Sequence, residues 1–166
     1  MVIGKMVGET LSIYFWVPAS DQLGHLHIDG KLRCLEDRVI VQYKIRDRIF
    51  KKSGKELEKI EFPYSELEEV AFNPNWLTAS RLVLKTADPA ILAKMPGADL
   101  GRIDMRITKK SKKDAAKIEK FVEFKRTEIQ AQQSHERWMR SAEEELSDPM
   151  EEVRERFSDE REGDVE

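Results

Sequence analysis

Six basic side chains that could bind an anion lie close together in the sequence. They are Lys44, Arg46, Arg48, Lys51, Lys52 and Lys55. Several cations at one end of a hairpin can hold a phosphate group or attract an anionic membrane surface. Lysines and arginines also cover edge strands and turns as plain solvated surface. This basic loop is therefore a candidate ligand-binding site, and a peripheral anionic membrane surface is a candidate partner.

A second basic cluster coincides with the predicted start of a helix and contains Lys109, Lys110, Lys112, Lys113, Lys117 and Lys120. The free amides at a helix start attract anions, but Asp114 partly occupies that role. Nucleic-acid binding usually requires a wider basic surface with interleaved aromatic residues, which the sequence does not show. Solvated helix surface is the favoured interpretation, and nucleic acid is not an expected partner.

A possible metal site consists of His25, His27 and Asp29, which alternate along one predicted strand. On an unbroken strand these side chains would project from one face, and two imidazoles with a carboxylate can bind zinc. The Asp29-Gly30 pair allows either a tight hairpin or a bend in one long strand, and a hairpin would alter that geometry. Exposed strand residues are the favoured interpretation, and no metal site is expected.

The single cysteine, Cys34, shares strand parity with apolar residues and opposes the parity of both nearby histidines. This pattern predicts a buried, inert thiol rather than a nucleophile paired with histidine. The sequence also contains no phosphate-binding glycine loop, serine elbow or CxxC pair. We therefore expect no catalytic residues, no cofactor and no enzymatic activity. The lack of an intrachain disulfide and of a signal-peptide pattern favours a cytoplasmic location.

Three tryptophans stand out among the remaining residues. Trp16 lies with Tyr14 on the face of a predicted strand opposite its aliphatic residues, where packing under a second layer is favoured over a partner contact. Trp76 follows an Asn-Pro-Asn turn and could make a contact at the tip of a loop. Trp138 lies in a predicted helical extension.

The predicted elements are seven strands followed by one long helix. This order excludes the α/β folds and favours an antiparallel sheet or barrel with a helix packed on one end. Alternating or short apolar runs mark the strands near residues 11–17, 26–34, 38–46, 60–62, 67–72, 81–86 and 102–108. An irregular excursion with two prolines and two glycines separates the last two strands.

The helix is predicted to begin at Ser111, which opens a capping-box pattern with Asp114. Ala115, Ile118 and Val122 follow at helical spacing and would pack on the sheet. Asp148-Pro149 predicts a stop and a restart as a short second helix.

Charge is distributed unevenly along the chain. Residues 143–166 contain 12 acidic and 3 basic residues, a net charge of −9, whereas residues 1–142 carry 26 basic and 20 acidic residues, a net charge of +6. The opposite signs favour a tail that folds back on the body. A solubilising tail and a coiled-coil partner helix are the alternatives.

Several of these segments resemble bacterial pleckstrin-homology-like (PH-like) domains: residues 28–45, 60–67, 81–85, 96–97, 101–107 and 114–116. The resemblance covers residues 24–126 and implies a bent seven-stranded antiparallel barrel capped by one C-terminal helix. It also implies a non-catalytic binding or oligomerisation module. A protein partner or a homo-oligomer is accordingly expected, and the lipid-binding basic pattern of eukaryotic members is approached only by Arg46-Asp47-Arg48.

The resemblance also suggests a domain organisation. Residues 1–23 form an N-terminal extension or first strand, and residues 24–130 form the PH-like barrel with its capping helix. Residues 131–166 form a helical extension with an acidic, partly disordered tail.

Overall fold

The protein contains seven β-strands and a long C-terminal helix. The computed structural model describes residues 10–18, 26–47 and 56–159, with side chains through residue 146. The strands are β1 (Leu11–Val17), β2 (Leu26–Cys34), β3 (Arg38–Asp47), β4 (Glu58–Pro63), β5 (Leu67–Asn73), β6 (Arg81–Thr86) and β7 (Arg102–Ile107). The helices are α1 (Lys112–Ala115) and α2 (Ile118–Asp159), preceded by a 3₁₀ turn at Lys109–Ser111.

The strands form one antiparallel sheet in the order β4-β3-β2-β1-β7-β6-β5. This arrangement confirms the predicted mainly β architecture of seven antiparallel strands with a C-terminal helix. The sheet is open rather than closed into a barrel, with β4 and β5 at its edges. The first strand lies in the centre, between β2 and β7, so the first and last strands of the chain are neighbours in the sheet.

Strand β2 runs without interruption through Asp29-Gly30, which excludes the hairpin and leaves one long strand. Gly30 pairs with Phe15 of β1 on one side and with Tyr43 of β3 on the other. A Cβ atom at Gly30 would lie 2.3 Å from Phe15 Cζ and 2.7 Å from the Gln42 carbonyl oxygen. Glycine is needed here because the Phe15 ring packs directly over the backbone of β2.

Most of the core side chains are those that the alternation assigns to one face of the strands, although Ile40 and Val83 on the other face are also buried. Ile13, Leu32 and Val39 are fully buried, and neighbouring strands supply the rest of the layer. The predicted burial of Cys34 is confirmed, since its side chain is 1% exposed. Burial raises the pKa of its thiol to about 12, so the thiolate is scarce at neutral pH.

The predicted capping role of Ser111 is wrong, although Ser111 does precede the first helix. Its hydroxyl makes no cap hydrogen bond and instead accepts from the Tyr14 amide at 2.8 Å. The bond is part-buried, and a strand amide shielded from water without a partner costs up to about 1–3 kcal/mol, so this longer-range bond takes precedence over capping. Ser111 thereby fastens the start of the helix to β1.

The predicted stop at Asp148-Pro149 is also wrong, because α2 continues through both residues to Asp159. Proline removes one backbone donor from the helix. Glutamates and arginines, which have favourable helix propensity, lie on both sides of this pair.

The chain divides into two compact units, residues 1–126 and residues 127–166. The first contains the sheet, α1 and the first turns of α2, and the second is helical through residue 159. The acidic segment beyond that residue lies outside the described part of the chain, and its return to the body stays a prediction. Within the described residues, no helix is both long enough and apolar enough to cross a membrane.

Candidate interaction site

Only two of the six residues of the predicted basic loop, Lys44 and Arg46, lie among the described residues. Lys44 and Arg46 are exposed near the end of β3, and Arg46 Nε lies 3.0 Å from Asp29 Oδ2. That ion pair offsets one of the two positive charges. Arg48, Lys51, Lys52 and Lys55 lie outside the described residues. A ligand site in this loop therefore stays a prediction.

His27 and Asp29 share the outer face of β2, as their parity predicts. His27 Nε2 and Asp29 Oδ1 are 2.9 Å apart, and the His27 ring stacks on Trp16 with centroids separated by 5.6 Å. The Asp29 carboxylate therefore contacts both His27 and Arg46. His25 lies outside the described residues, and the described part of the chain contains no group of three metal-ligating side chains. The arrangement is a polar surface network anchored on an aromatic ring.

A rigid turn between β5 and β6 presents two apolar side chains to solvent. Asn75 organises it, since its Oδ1 accepts from the amides of Leu77 at 2.9 Å and Thr78 at 3.2 Å. The Asn75 amide donates to Ser80 Oγ at 3.1 Å. Trp76 is 86% exposed and Leu77 is 72% exposed. Local hydrogen bonding thus fixes a turn whose largest side chains lie outside the core.

An open groove of about 570 Å³ separates this turn from the start of the helical region. It runs past the end of β7 and reaches the outer face of β1. Its apolar lining comes from Trp16, Trp76, Leu77 and Ile107, and residues 78–80 contribute further backbone and small side chains. The groove therefore joins two tryptophans that are 60 positions apart in sequence.

Two lysines give this groove a positive charge. Lys109 and Lys112 line it, and no acidic residue does so among the described residues. Lys112 Nζ donates to the Asn75 carbonyl at 3.3 Å, which ties the helix start to the turn. Neither lysine has a carboxylate partner within the described ranges, whereas Lys85 pairs with Glu68 at 2.8 Å. Their charge therefore remains available to a partner.

The second basic cluster is divided by the fold. Lys109 and Lys112 line the groove, whereas Lys117 and Lys120 are exposed on the helical region and do not line it. The solvated interpretation fits the second pair. Sequence reasoning missed the groove because its aromatic and basic parts come from separate segments. The one available signal was Trp76, placed at the tip of a loop by the Asn-Pro-Asn turn.

The second unit carries an exposed apolar stripe on α2. Trp138 is 66% exposed and Leu146 is 76% exposed, and Met139 is exposed between them. The His135 ring stacks on Trp138 with centroids 6.3 Å apart. At about 100° per residue, Trp138, Met139, Ala142 and Leu146 fall within one helical face. The stripe is an unpartnered face of this unit as it is described.

The geometry of the groove suits binding rather than covalent chemistry. Its polar groups are lysine ammonium groups, a turn backbone and small hydroxyls, with no nucleophile and base in contact among the described residues. Apolar side chains beside cations favour a partner that is both apolar and anionic. No family model matches the sequence, and comparison with curated proteins finds no significant relative.

Proposed function

We propose that the chain is a non-catalytic PH-like interaction module that self-associates through the groove between the β5–β6 turn and the helix start. The seven antiparallel strands and the C-terminal helix support this proposal, because the PH-like resemblance implies these elements, whereas the open sheet departs from the closed barrel that it also implies. A fold does not assign a function, so the groove itself supplies the main argument.

The exposed Trp76-Leu77 pair is the observation that carries the proposal. Burying a large apolar side chain is worth about 1.5–3 kcal/mol, and tryptophan is enriched among residues that dominate interface energies. Asn75 and Ser80 hold the turn in place before binding, which reduces the entropy lost when a partner docks. The pair is therefore suited to act as a preformed anchor.

The combined change Trp76→Ala and Leu77→Ser should weaken self-association without altering the fold. Sedimentation velocity between about 1 µM and 1 mM should show a sedimentation coefficient that rises with concentration for the unchanged chain. The variant should require a concentration about thirty-fold higher or more, as expected when an aromatic anchor is removed.

Leu57→Ser is the matched control, because Leu57 is also an exposed leucine but does not line the groove. It should self-associate like the unchanged chain. A chain that remains monomeric throughout this range, or a double variant that behaves like the control, would contradict self-association through the groove.

A second candidate function is binding of an anionic membrane surface by the basic loop. Lys44 and Arg46 favour it, since both are exposed where β3 leads into the remaining basic residues of that loop. Changing Arg46, Arg48, Lys51 and Lys52 to Glu should then abolish salt-sensitive co-sedimentation with phosphatidylserine vesicles. Lys117→Glu with Lys120→Glu is the control, and equal binding by the fourfold variant would remove this candidate.

A further inference from the structure

We infer that the occupant of the groove is residues 138–146 of α2 from a second copy of this chain. This inference rests on the proposed self-association and names the element that the groove receives. Both surfaces belong to described residues, and each is exposed in its own unit. The contact joins two molecules and is independent of how the units are arranged within one molecule.

The apolar parts of the two surfaces complement each other. The groove offers Trp76 and Leu77, which are 86% and 72% exposed. The helical segment offers Trp138, Met139 and Leu146 on one face, with Ala142 leaving a shallow space between them. An amphipathic helix that lays its apolar face in a groove is a recurring mode of recognition.

The charges of the two surfaces are also complementary. Lys109 and Lys112 line the groove and have no carboxylate partner within the described ranges. Glu143 and Glu145 are exposed, and their helical positions place them on opposite borders of the apolar stripe. An apolar stripe with an acidic border matches an apolar groove with a basic border.

This complementarity favours a copy of the chain over a lipid surface. An anionic membrane would attract the two lysines, but it would leave the apolar stripe of α2 without a partner. Docking of the segment covers the exposed tryptophan of the groove and the exposed tryptophan of the helix in one contact. It also brings the lysines close to glutamates, which sets the orientation of the helix in the groove.

A charge exchange in the full-length chain tests the pairing. Lys109→Glu with Lys112→Glu should weaken self-association about tenfold or more, because glutamates would then face glutamates. Glu143→Lys with Glu145→Lys should weaken it to a similar degree. The chain that carries all four changes should return to within about threefold of the original dissociation constant, since the opposite charges face each other again. Sedimentation velocity measures all four proteins.

Lys117→Glu with Lys120→Glu is the matched control, because it makes the same change of charge outside the groove. It should not alter the dissociation constant. Circular dichroism should be equal across the set, and the two variants that carry Lys112→Glu should share the same slightly lower melting temperature, because both lose the hydrogen bond to the Asn75 carbonyl. Recovery in the fourfold variant would support the pairing, because a defect in folding would not be repaired by two further substitutions.

The remaining outcomes separate this inference from the proposed function. If Trp76→Ala weakens association but the fourfold variant does not recover, the groove receives a different element and the inference fails alone. If the Glu143 and Glu145 changes act while groove changes do not, the helices pair with each other and both ideas fail. A monomeric chain whose Lys109 and Lys112 are required for binding phosphatidylserine vesicles would also overturn both, assigning the groove to a membrane.

Discussion

Gly30→Ala is expected to lower the free energy of unfolding by about 3 kcal/mol or more, enough to unfold a marginally stable domain. The added Cβ would lie 2.3 Å from Phe15 Cζ and 2.7 Å from the Gln42 carbonyl oxygen. The ring could move, but the carbonyl belongs to the neighbouring strand β3. Relief therefore requires displacement of the centre of the sheet.

Urea denaturation followed by circular dichroism measures this loss, and a double-mutant cycle identifies its cause. Phe15→Leu alone should destabilise the protein, because it removes part of a buried ring. In the Gly30→Ala background the same change should cost less, since the shorter side chain makes room for the new methyl group. If the losses of unfolding free energy from the two substitutions simply add, the Phe15 ring is not what the new methyl group meets. A fully additive cycle would falsify this account of Gly30.

Gly101→Ala should have the second largest effect, a loss of about 2–4 kcal/mol of unfolding free energy. Gly101 has φ +77° in the tight connection that begins β7, where Asp99 and Arg102 exchange two backbone hydrogen bonds of 2.8 and 2.9 Å. Alanine is strained at that φ. Its Cβ would also lie 3.0 Å from Pro89 Cα and 3.1 Å from the Thr86 carbonyl oxygen.

The preceding residue, Leu100, provides a control for which the opposite change in the free energy of unfolding is expected. Leu100 also has a positive φ, 47°, and it is 80% exposed, so its side chain contributes little packing. Leu100→Asn should stabilise the protein by about 0.5–1 kcal/mol, because asparagine tolerates this conformation better. Thermal unfolding of both variants measures the pair. A stabilising Gly101→Ala or a strongly destabilising Leu100→Asn would contradict the backbone explanation.

Strands β1, β2 and β7 were predictable because their burial follows a period of two. In β1, Leu11, Ile13, Phe15 and Val17 are all buried, and the residues between them face outward. Such alternation depends only on local geometry and on which face meets the core. The same reasoning correctly placed Cys34 inside. It could not choose between a hairpin and a straight strand at Gly30, because the deciding contact comes from Phe15 of another strand.

At the start of the helix, a tertiary contact and not the local capping rule determines the hydrogen bonding. Ser111 has the sequence context of a cap, yet its hydroxyl bonds to Tyr14, which lies 97 positions earlier. The groove also depends on tertiary contacts, since Trp16, Trp76 and Lys112 come from three distant segments. A sequence pattern predicts which face a residue occupies, but it does not predict which distant residue meets it. The candidate site was therefore visible only in part, through the turn that carries Trp76.

The central place of β1 also determines when the sheet can be completed during synthesis. Strands β1 to β4 form successive hairpins as they emerge, but β1 then presents an unpaired edge. Its second partner, β7, is made only about 90 residues later, as the pairing of Phe15 with Ile107 shows. Closing so long a loop is slow, and an exposed apolar strand edge invites pairing with other chains. The nascent chain thus passes through a prolonged vulnerable stage that ends only when residues 102–107 have left the ribosome.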